Sequence, residues 1–317
     1  QQPTTTTVSS SPSCPSHIIP NRNGQVPMTL RDYLMDPQGY SLGMAPAFFG
    51  FYGYFGCLAA WEEILSAAVL EPGHLHQVAG ASAGAMAAIM LAAGVSPRDA
   101  AAYCAQSTVQ DFSDFPGVGA LFRGQRFETT VEDFLTSMAT CAPSLLLEHA
   151  LVPVAVSAFD IQSMAGKILT SGSMARAARA SATFPVLFQP VGWTNDKADE
   201  DYTLIDGGGT DRAGVAGLQW DDDDDSSASR GRRVVNLVIG PFWGPIPQPS
   251  DIAGSTAVLS ISLQHLPQPS PLAMELGSVA VEAATQAMKA SLDVPLYKGK
   301  EENHYELHID ASTFWES

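Results

Sequence analysis

At 317 residues, with 45% of them hydrophobic and a net charge of −17, the chain is long enough to bury the core of one large α/β domain or two small ones. The acidic balance argues against nucleic acid as a partner, because phosphate binding relies on clustered Lys and Arg, and it disfavours simple electrostatic attraction to anionic membranes. Cys14, Cys57, Cys104 and Cys141 are widely spaced with no C-x-x-C pair, which argues against a disulfide framework or a metal cluster, and no apolar run reaches the roughly 18 residues of a membrane-spanning helix.

Residues 1–27 are rich in Thr, Ser and Pro and read as a disordered leader, so the folded domain is expected over 28–317. The chain begins Gln1-Gln2-Pro3 without Met; a targeting peptide ahead of it would be out of view, and the compartment stays open, with a lean to an intracellular protein. Ala45-Pro46-Ala47-Phe48-Phe49 reads as a short strand running into a glycine-containing turn that starts at Gly50. Leu58, Trp61, Leu65 and Ala68 then recur at helical spacing, with Glu62, Glu63 and Ser66 on the other face. His76 to Ala79 reads as a strand, Gly80-Ala81-Ser82-Ala83-Gly84 as a sharp turn and Ala85 to Ala93 as a helix.

Residues 97–148 are mostly helical in pattern, with Phe127, Val131, Phe134, Leu135 and Met138 on one face. Leu151 to Phe159 is a buried strand, Ser173 to Ala182 a helix, and Tyr202 to Ile205 a strand that delivers Asp206-Gly207-Gly208. The run Asp221 to Asp225, with the serines and arginines after it, reads as a solvated loop near 220–230, because a Ca²⁺ site needs ligands spaced around a turn. Val234 to Ile239 and Val258 to Leu263 are further strands, and Leu272 to Leu292 is a long helix. Continuous apolar strands alternating with helices predict a three-layer α/β/α sandwich with a mostly parallel central sheet.

Two motifs carry chemistry. Ser82 sits at a strand-to-helix turn flanked by small residues, the context of a nucleophile elbow, where unpaired amides and the helix dipole favour developing negative charge. Asp206, on a tight turn with Gly207, Gly208 and Gly209, is a candidate base whose pKa would rise in a partly dry site. Backbone amides of the loop Phe48-Phe49-Gly50-Phe51-Tyr52-Gly53 could hold an oxyanion.

The order of these parts, glycine-containing loop, G-x-S-x-G, then D-G-G, resembles the patatin-like phospholipase family of lipid acyl hydrolases. Ala180-Ser181-Ala182-Thr183-Phe184-Pro185-Val186-Leu187-Phe188-Gln189-Pro190-Val191 is similar to the family's A-S-x-x-x-P-x-x-F-x-P-V segment, and the resemblance spans roughly residues 45–240. It implies a Ser-Asp dyad without histidine: Ser82 as nucleophile, Asp206 as base, and Phe49, Gly50, Phe51 and Gly53 in the oxyanion loop. Gly80, Gly84, Gly207 and Gly208 would support the two motifs. It implies no metal and no cofactor, a lipid substrate, and work at a membrane or lipid-droplet surface. The chain departs from the family's G-G-G-x-[RK]-G by carrying Phe48 and Phe49 for the first two glycines and Tyr52 for the basic residue; the loss of the basic residue resembles the triglyceride-lipase branch of the family, and that resemblance shifts the expected substrate toward neutral lipids. Arg212 and Gly214 replace the family's Asn and Pro after D-G-G.

Two other readings compete. An α/β-hydrolase would add His265 or His308 to Ser82 and Asp206, but only one strand and one helix fit between the leader and Ser82. A non-catalytic lipid-binding protein of the same fold is motivated by the altered loop. His74-x-His76 has ligand-like spacing without a third ligand. Phe112, Phe115, Val118, Leu121, Phe122 and Pro241-Phe242-Trp243 are candidates for lipid contact or for ordinary core, Asp160 for a cap, and Arg176 and Arg179 for headgroup contacts or ion pairs.

Overall fold

The computed structural model describes residues 27–117, 119–140, 144–195, 200–218, 232–241, 244 and 246–316. The leader up to residue 26 with Cys14, and Val118, Cys141, the Asp221–Asp225 run, Phe242 and Trp243, lie outside them. In chain order the main elements are α1 (Leu30–Leu34), β1 (Tyr40–Met44), α2 (Phe51–Leu65), β2 (Leu75–Ala81), α3 (Ala83–Ala92), α4 (Pro97–Ala105), α5 (Val109–Phe112) and α6 (Gln125–Met138). They continue with β3 (Val154–Asp160), β4 (Ala165–Leu169), α7 (Met174–Ser181), β5 (Val191–Asn195), β6 (Glu200–Asp206), β7 (Arg233–Ile239), β8 (Ala257–Gln264), α8 (Leu276–Ser291), β9 (Tyr297–Lys298) and β10 (His304–Asp310).

The strands form one sheet in the order β5-β6-β3-β2-β1-β7-β8-β10-β9, with β4 paired to β3. From β3 through β10 the central neighbours are parallel. The antiparallel pairs, β3 with β4 and β6, β5 with β6, and β9 with β10, lie toward the two ends. Side chains alternate between two cores as the pleat requires. Val78, Val156, Val235, Leu237 and Leu259 face the larger one, beneath the helices. Ala79, Ala155, Val234 and Val258 face a smaller one closed by Val215, Leu218 and Ile252. Cys57 and Cys104 are free and buried, and burial pushes both thiols well above their ordinary pKa.

The first strand differs from expectation. The sequence pattern places it at 45–49, whereas β1 is Tyr40–Met44, and residues 45–50 form a loop ending in a one-turn 3-10 helix, Phe48–Gly50. Ser41 and Gly43 hide this strand from a hydropathy reading, yet all five residues are buried between β2 and β7. Of the glycines that read as a turn, Gly53 and Gly56 belong to α2 instead, and Gly50 ends the 3-10 turn just before it. A Cβ on Gly56 would lie 2.5 Å from the Val281 carbonyl oxygen and 2.7 Å from Ala284 Cβ, so this glycine lets α2 lie close against α8. Tyr54, Leu58 and Trp61, on the other face of α2, are fully or almost fully buried against the sheet, where Trp61 meets the Tyr40 ring edge-on and the Tyr54 hydroxyl donates to the Ala45 carbonyl; burying Leu58 contributes about 1.5–3 kcal/mol.

Candidate active site

Parallel strands all end at one edge of the sheet, and at that edge the loops converge. β2 ends at Ala81, Ser82 follows, and α3 starts at Ala83. Ser82 adopts φ 53° and ψ −121°, a conformation costing an L-residue about 1–3 kcal/mol and persisting only where the surroundings impose it. They do so through hydrogen bonds: Ser82 N–H donates to Ser181 Oγ at 2.8 Å, and Ser181 Oγ donates to the Ser157 carbonyl at 2.6 Å. Ser157 Oγ in turn donates to Asp211 Oδ2 at 2.5 Å, and Asp211 is held by N–H donors from Gly214, Val215 and Ala216. Gly80 and Gly84 are required by close approach, since a Cβ on Gly84 would run into the Met44 carbonyl and one on Gly80 into the Gly84 carbonyl.

Asp206 is the last residue of β6, which pairs with β3 beside β2. Ser82 Oγ donates to Asp206 Oδ2 at 2.7 Å, and Gly208 N–H donates to Asp206 Oδ1 at 2.7 Å. Gly207 has no room for a side chain, because a Cβ would meet the Ser157 carbonyl. Burial raises the Asp206 carboxyl above its ordinary pKa, against the lowering effect of the two hydrogen bonds. A hydroxyl bonded to a shielded carboxylate is the arrangement needed for a proton to pass from one to the other.

The pair opens into a cavity of about 710 Å³ whose walls include Pro46, Phe48, Phe159, Phe184, Ile205 and Arg212. Among the described lining residues there is no histidine. On its other side Ser82 borders a chamber of about 50 Å³ enclosed by aromatic and aliphatic side chains. There Phe112 packs between Phe49 and Phe127, with ring centroids 6.4 and 5.6 Å away, and Phe127 stacks on Phe188 at 5.9 Å.

The remaining candidates separate clearly. Phe49 lines the cavity, whereas Gly50 donates its N–H to the Ala47 carbonyl at 2.6 Å, and Phe51 and Gly53 lie in the first turn of α2. Tyr52 is buried in that helix against Gly277 and is absent from the cavity wall. Loop and helix meet at Ser82 in a way that glycine spacing alone could not reveal: Phe48 and Phe49 head the 3-10 turn, Ala83 and Gly84 head α3, and the N–H groups at the head of a helix have no partner within it. Phe48 takes φ 50°, a left-handed value that a glycine would adopt more readily.

His265 pairs with Asp310 and His308 with Glu306, both on the β8–β10 side of the sheet. His74 and His76 are engaged separately by the Leu34 and Gln38 carbonyls. Asp160 caps the β3–β4 turn, accepting from Gln162, Ser163 and Thr203, and these bonds bring its pKa down to about 2. Arg179 pairs with Glu128 at 2.7 Å, and Arg176 donates to the Gly192 carbonyl. Ser181 and Asp211 are the residues that motif reading underrated; Ser181 lay in view inside the A-S-x-x-x-P segment.

A family model described as patatin-like phospholipase matches residues 49–217, more than half of the chain. The chain belongs to this family. No curated protein matches it in sequence. Among solved structures it is similar to VipD from Legionella pneumophila, at 15% identity and a TM-score of 0.53, covering 88% of this chain and 70% of VipD. That likeness is one of fold. A second, ExoU in its heterodimeric complex with SpcU from the type III secretion system of Pseudomonas aeruginosa, aligns at 14% identity and a TM-score of 0.40 over 81% of this chain. The match spans 52% of the ExoU chain, about half its length. The family is one of lipid hydrolases, and the mixed α/β architecture with a central sheet flanked by helices is the patatin-like fold.

Proposed function

We propose that the protein is a serine lipid acyl hydrolase in which Ser82 is the nucleophile and Asp206 the sole base. One observation carries this reading: the 2.7 Å hydrogen bond from the Ser82 hydroxyl to a carboxylate whose pKa is raised, at the wall of an apolar cavity. Ser82 Oγ attacks the ester carbonyl carbon as its proton passes to Asp206. The oxyanion is held by N–H groups at the heads of the two helices that meet there, those of Phe49 and Ala83. Collapse breaks the bond to the leaving alkoxide, which takes the proton back from Asp206 and departs as the alcohol. Water, deprotonated by Asp206, then attacks the acyl-enzyme, and Ser82 leaves with the proton while the fatty acid is released.

In this reading the open cavity admits the bulk of a glycerolipid, and the aromatic chamber takes the end of the acyl chain next to Ser82. Neutral glycerolipids are favoured over phospholipids, because Tyr52 stands where a basic residue is usual and is buried away from the cavity. The test is lipid product analysis by mass spectrometry on a panel of phospholipids, galactolipids and triacylglycerols, comparing wild type with Ser82→Ala. Free fatty acid from wild type alone supports the reading. Equal background release by both proteins would make the chain a lipid-binding member of the family, and loss of activity in His265→Ala or His308→Ala would replace the dyad by a triad.

A further inference from the structure

Several of the most exposed apolar side chains of this chain stand next to the wall of the cavity, although others, such as Tyr297, Met35 and Ile64, are exposed elsewhere. Among the described residues Leu272 is 97% exposed, Phe115 77%, Met164 72%, Val186 71% and Leu121 60%. All of them lie at the sheet edge where Ser82 sits. Val186 follows the cavity-wall residues Phe184 and Pro185, and Leu272 follows the wall residues Gln268 and Pro269. Met164 is on the β3–β4 turn, just beyond the wall residue Phe159. The segment carrying Phe115 and Leu121 is tied to the rim by main-chain bonds from Leu121 N–H to the Val186 carbonyl and from Phe122 N–H to the Leu187 carbonyl, and Arg123 N–H closes it onto the Phe115 carbonyl.

The backbone shows that this exposure is imposed. Val186 has φ 73° and Met164 φ 54°, and for a β-branched residue such a value is an outlier. Glycine or asparagine would suit both turns better, yet both carry apolar side chains facing water. Local charge points the same way, against the acidic balance of the whole chain. In a chain of net charge −17, the exposed Arg123 and Arg126 beside this rim have no carboxylate partner among the described residues. Asp114, their nearest acidic neighbour in the same loop, is occupied by the N–H groups of Arg123, Gly124 and Arg126.

We propose that this ring of apolar side chains around the cavity mouth, with Arg123 and Arg126 at its margin, docks the protein on an anionic lipid–water interface so that the cavity opens directly into the lipid. The inference rests on the proposed lipid hydrolase activity for its purpose, but binding is measurable without it. Apolar side chains entering the acyl region contribute up to tenfold or more in affinity each, and each arginine near an anionic surface contributes about fivefold.

The experiment is co-sedimentation with mixed phosphatidylcholine–phosphatidylserine vesicles, done in a Ser82→Ala background so that no lipid is consumed. The variant Phe115→Ser/Val186→Asn/Leu272→Ser is compared with Tyr297→Ser, which alters an exposed apolar side chain away from the mouth (63% exposed). Asn tolerates the left-handed backbone at residue 186, so folding is not put at risk there. The rim variant is expected to bind about 100-fold more weakly and Tyr297→Ser to bind like the parent, with Arg123→Gln/Arg126→Gln losing only the preference for anionic over pure phosphatidylcholine vesicles. Failure of the parent to bind, equal binding by the rim variant, or equal loss in Tyr297→Ser would overturn the proposal. In the Ser82-containing protein, hydrolysis of a soluble short-chain nitrophenyl ester reports separately on the dyad: its absence would sink the proposed function while leaving the vesicle result intact, and the rim variant is expected to retain it.

Discussion

Ser82 is held in a strained backbone conformation by a single acceptor, the Ser181 hydroxyl, and the consequences can be read residue by residue. Ser181→Ala leaves the buried Ser82 N–H and Ser157 carbonyl without their partner, a loss of about 1–3 kcal/mol. Because Ser181 touches the backbone of the proposed nucleophile and not the reacting atoms, its removal should lower kcat by about 10- to 100-fold with KM little changed, and steady-state kinetics on a soluble ester checks this split. Asp206 makes a prediction about pH. Its carboxyl is raised in the folded protein above the 3.8 of an ordinary aspartate, so the acid limb of kcat/KM should have its midpoint above that value, with activity lost as the base is protonated on the way down. Stability runs with the opposite sign. The native state takes up this proton more readily than the unfolded chain, so the carboxylate lowers stability above its folded pKa and the penalty vanishes below the unfolded one. Asp206→Asn should therefore be inactive yet melt higher than wild type at neutral pH, with the gain gone below about pH 4, as thermal scans across pH would show.

At the scale of elements, α2 and the aromatic chamber shape the surroundings of Ser82. Gly50, Gly53 and Gly56 are spaced three apart, which puts them on one face of a helix. Read as a loop signal they misplace the start of α2 and the end of β1; their work is to admit Ile239, Leu266 and the backbone of α8. What a sequence cannot supply is the partner whose approach demands the missing side chain. β1 escaped for a related reason, since its burial comes from neighbours on both sides and not from its own hydropathy. Longer elements were legible: β2, α3, α6, β7 and β8 fall within a few residues of where the sequence pattern places them, because β7 and β8 are continuous apolar runs and α6 carries one apolar face. The chamber beside Ser82 was legible only as scattered phenylalanines. Phe112 closes it by packing on Phe49 and Phe127, so Phe112→Ala should move the preferred acyl length of nitrophenyl esters upward by several methylenes, at a stability cost below the ~3–5 kcal/mol of a fully buried phenylalanine, because Phe112 is half-buried. An unchanged chain-length profile in a folded variant would show that acyl chains go elsewhere.

For the molecule as a whole, the parallel centre of the sheet brings residues from distant parts of the chain to one edge. Ser82 and Asp206 meet because β2 and β6 both flank β3, and the two short motifs made that meeting legible in advance. Nothing in the sequence order, in contrast, announces that exposed apolar side chains from the 115–121, 164, 184–186 and 272 regions ring the same opening. They are separated by over a hundred residues and united only by topology. Activity on aggregated lipid should accordingly fall far more in the rim variant than activity on a soluble ester, a difference that assays on emulsified and dissolved substrates would measure. The central claim, a serine activated by one carboxylate, is tested most directly by labelling with an alkyl fluorophosphonate followed by peptide mapping. The account predicts one adduct, on Ser82, formed at least about 10³-fold more slowly in folded Asp206→Asn; an adduct on another residue, or equal labelling of Asp206→Asn, would contradict it.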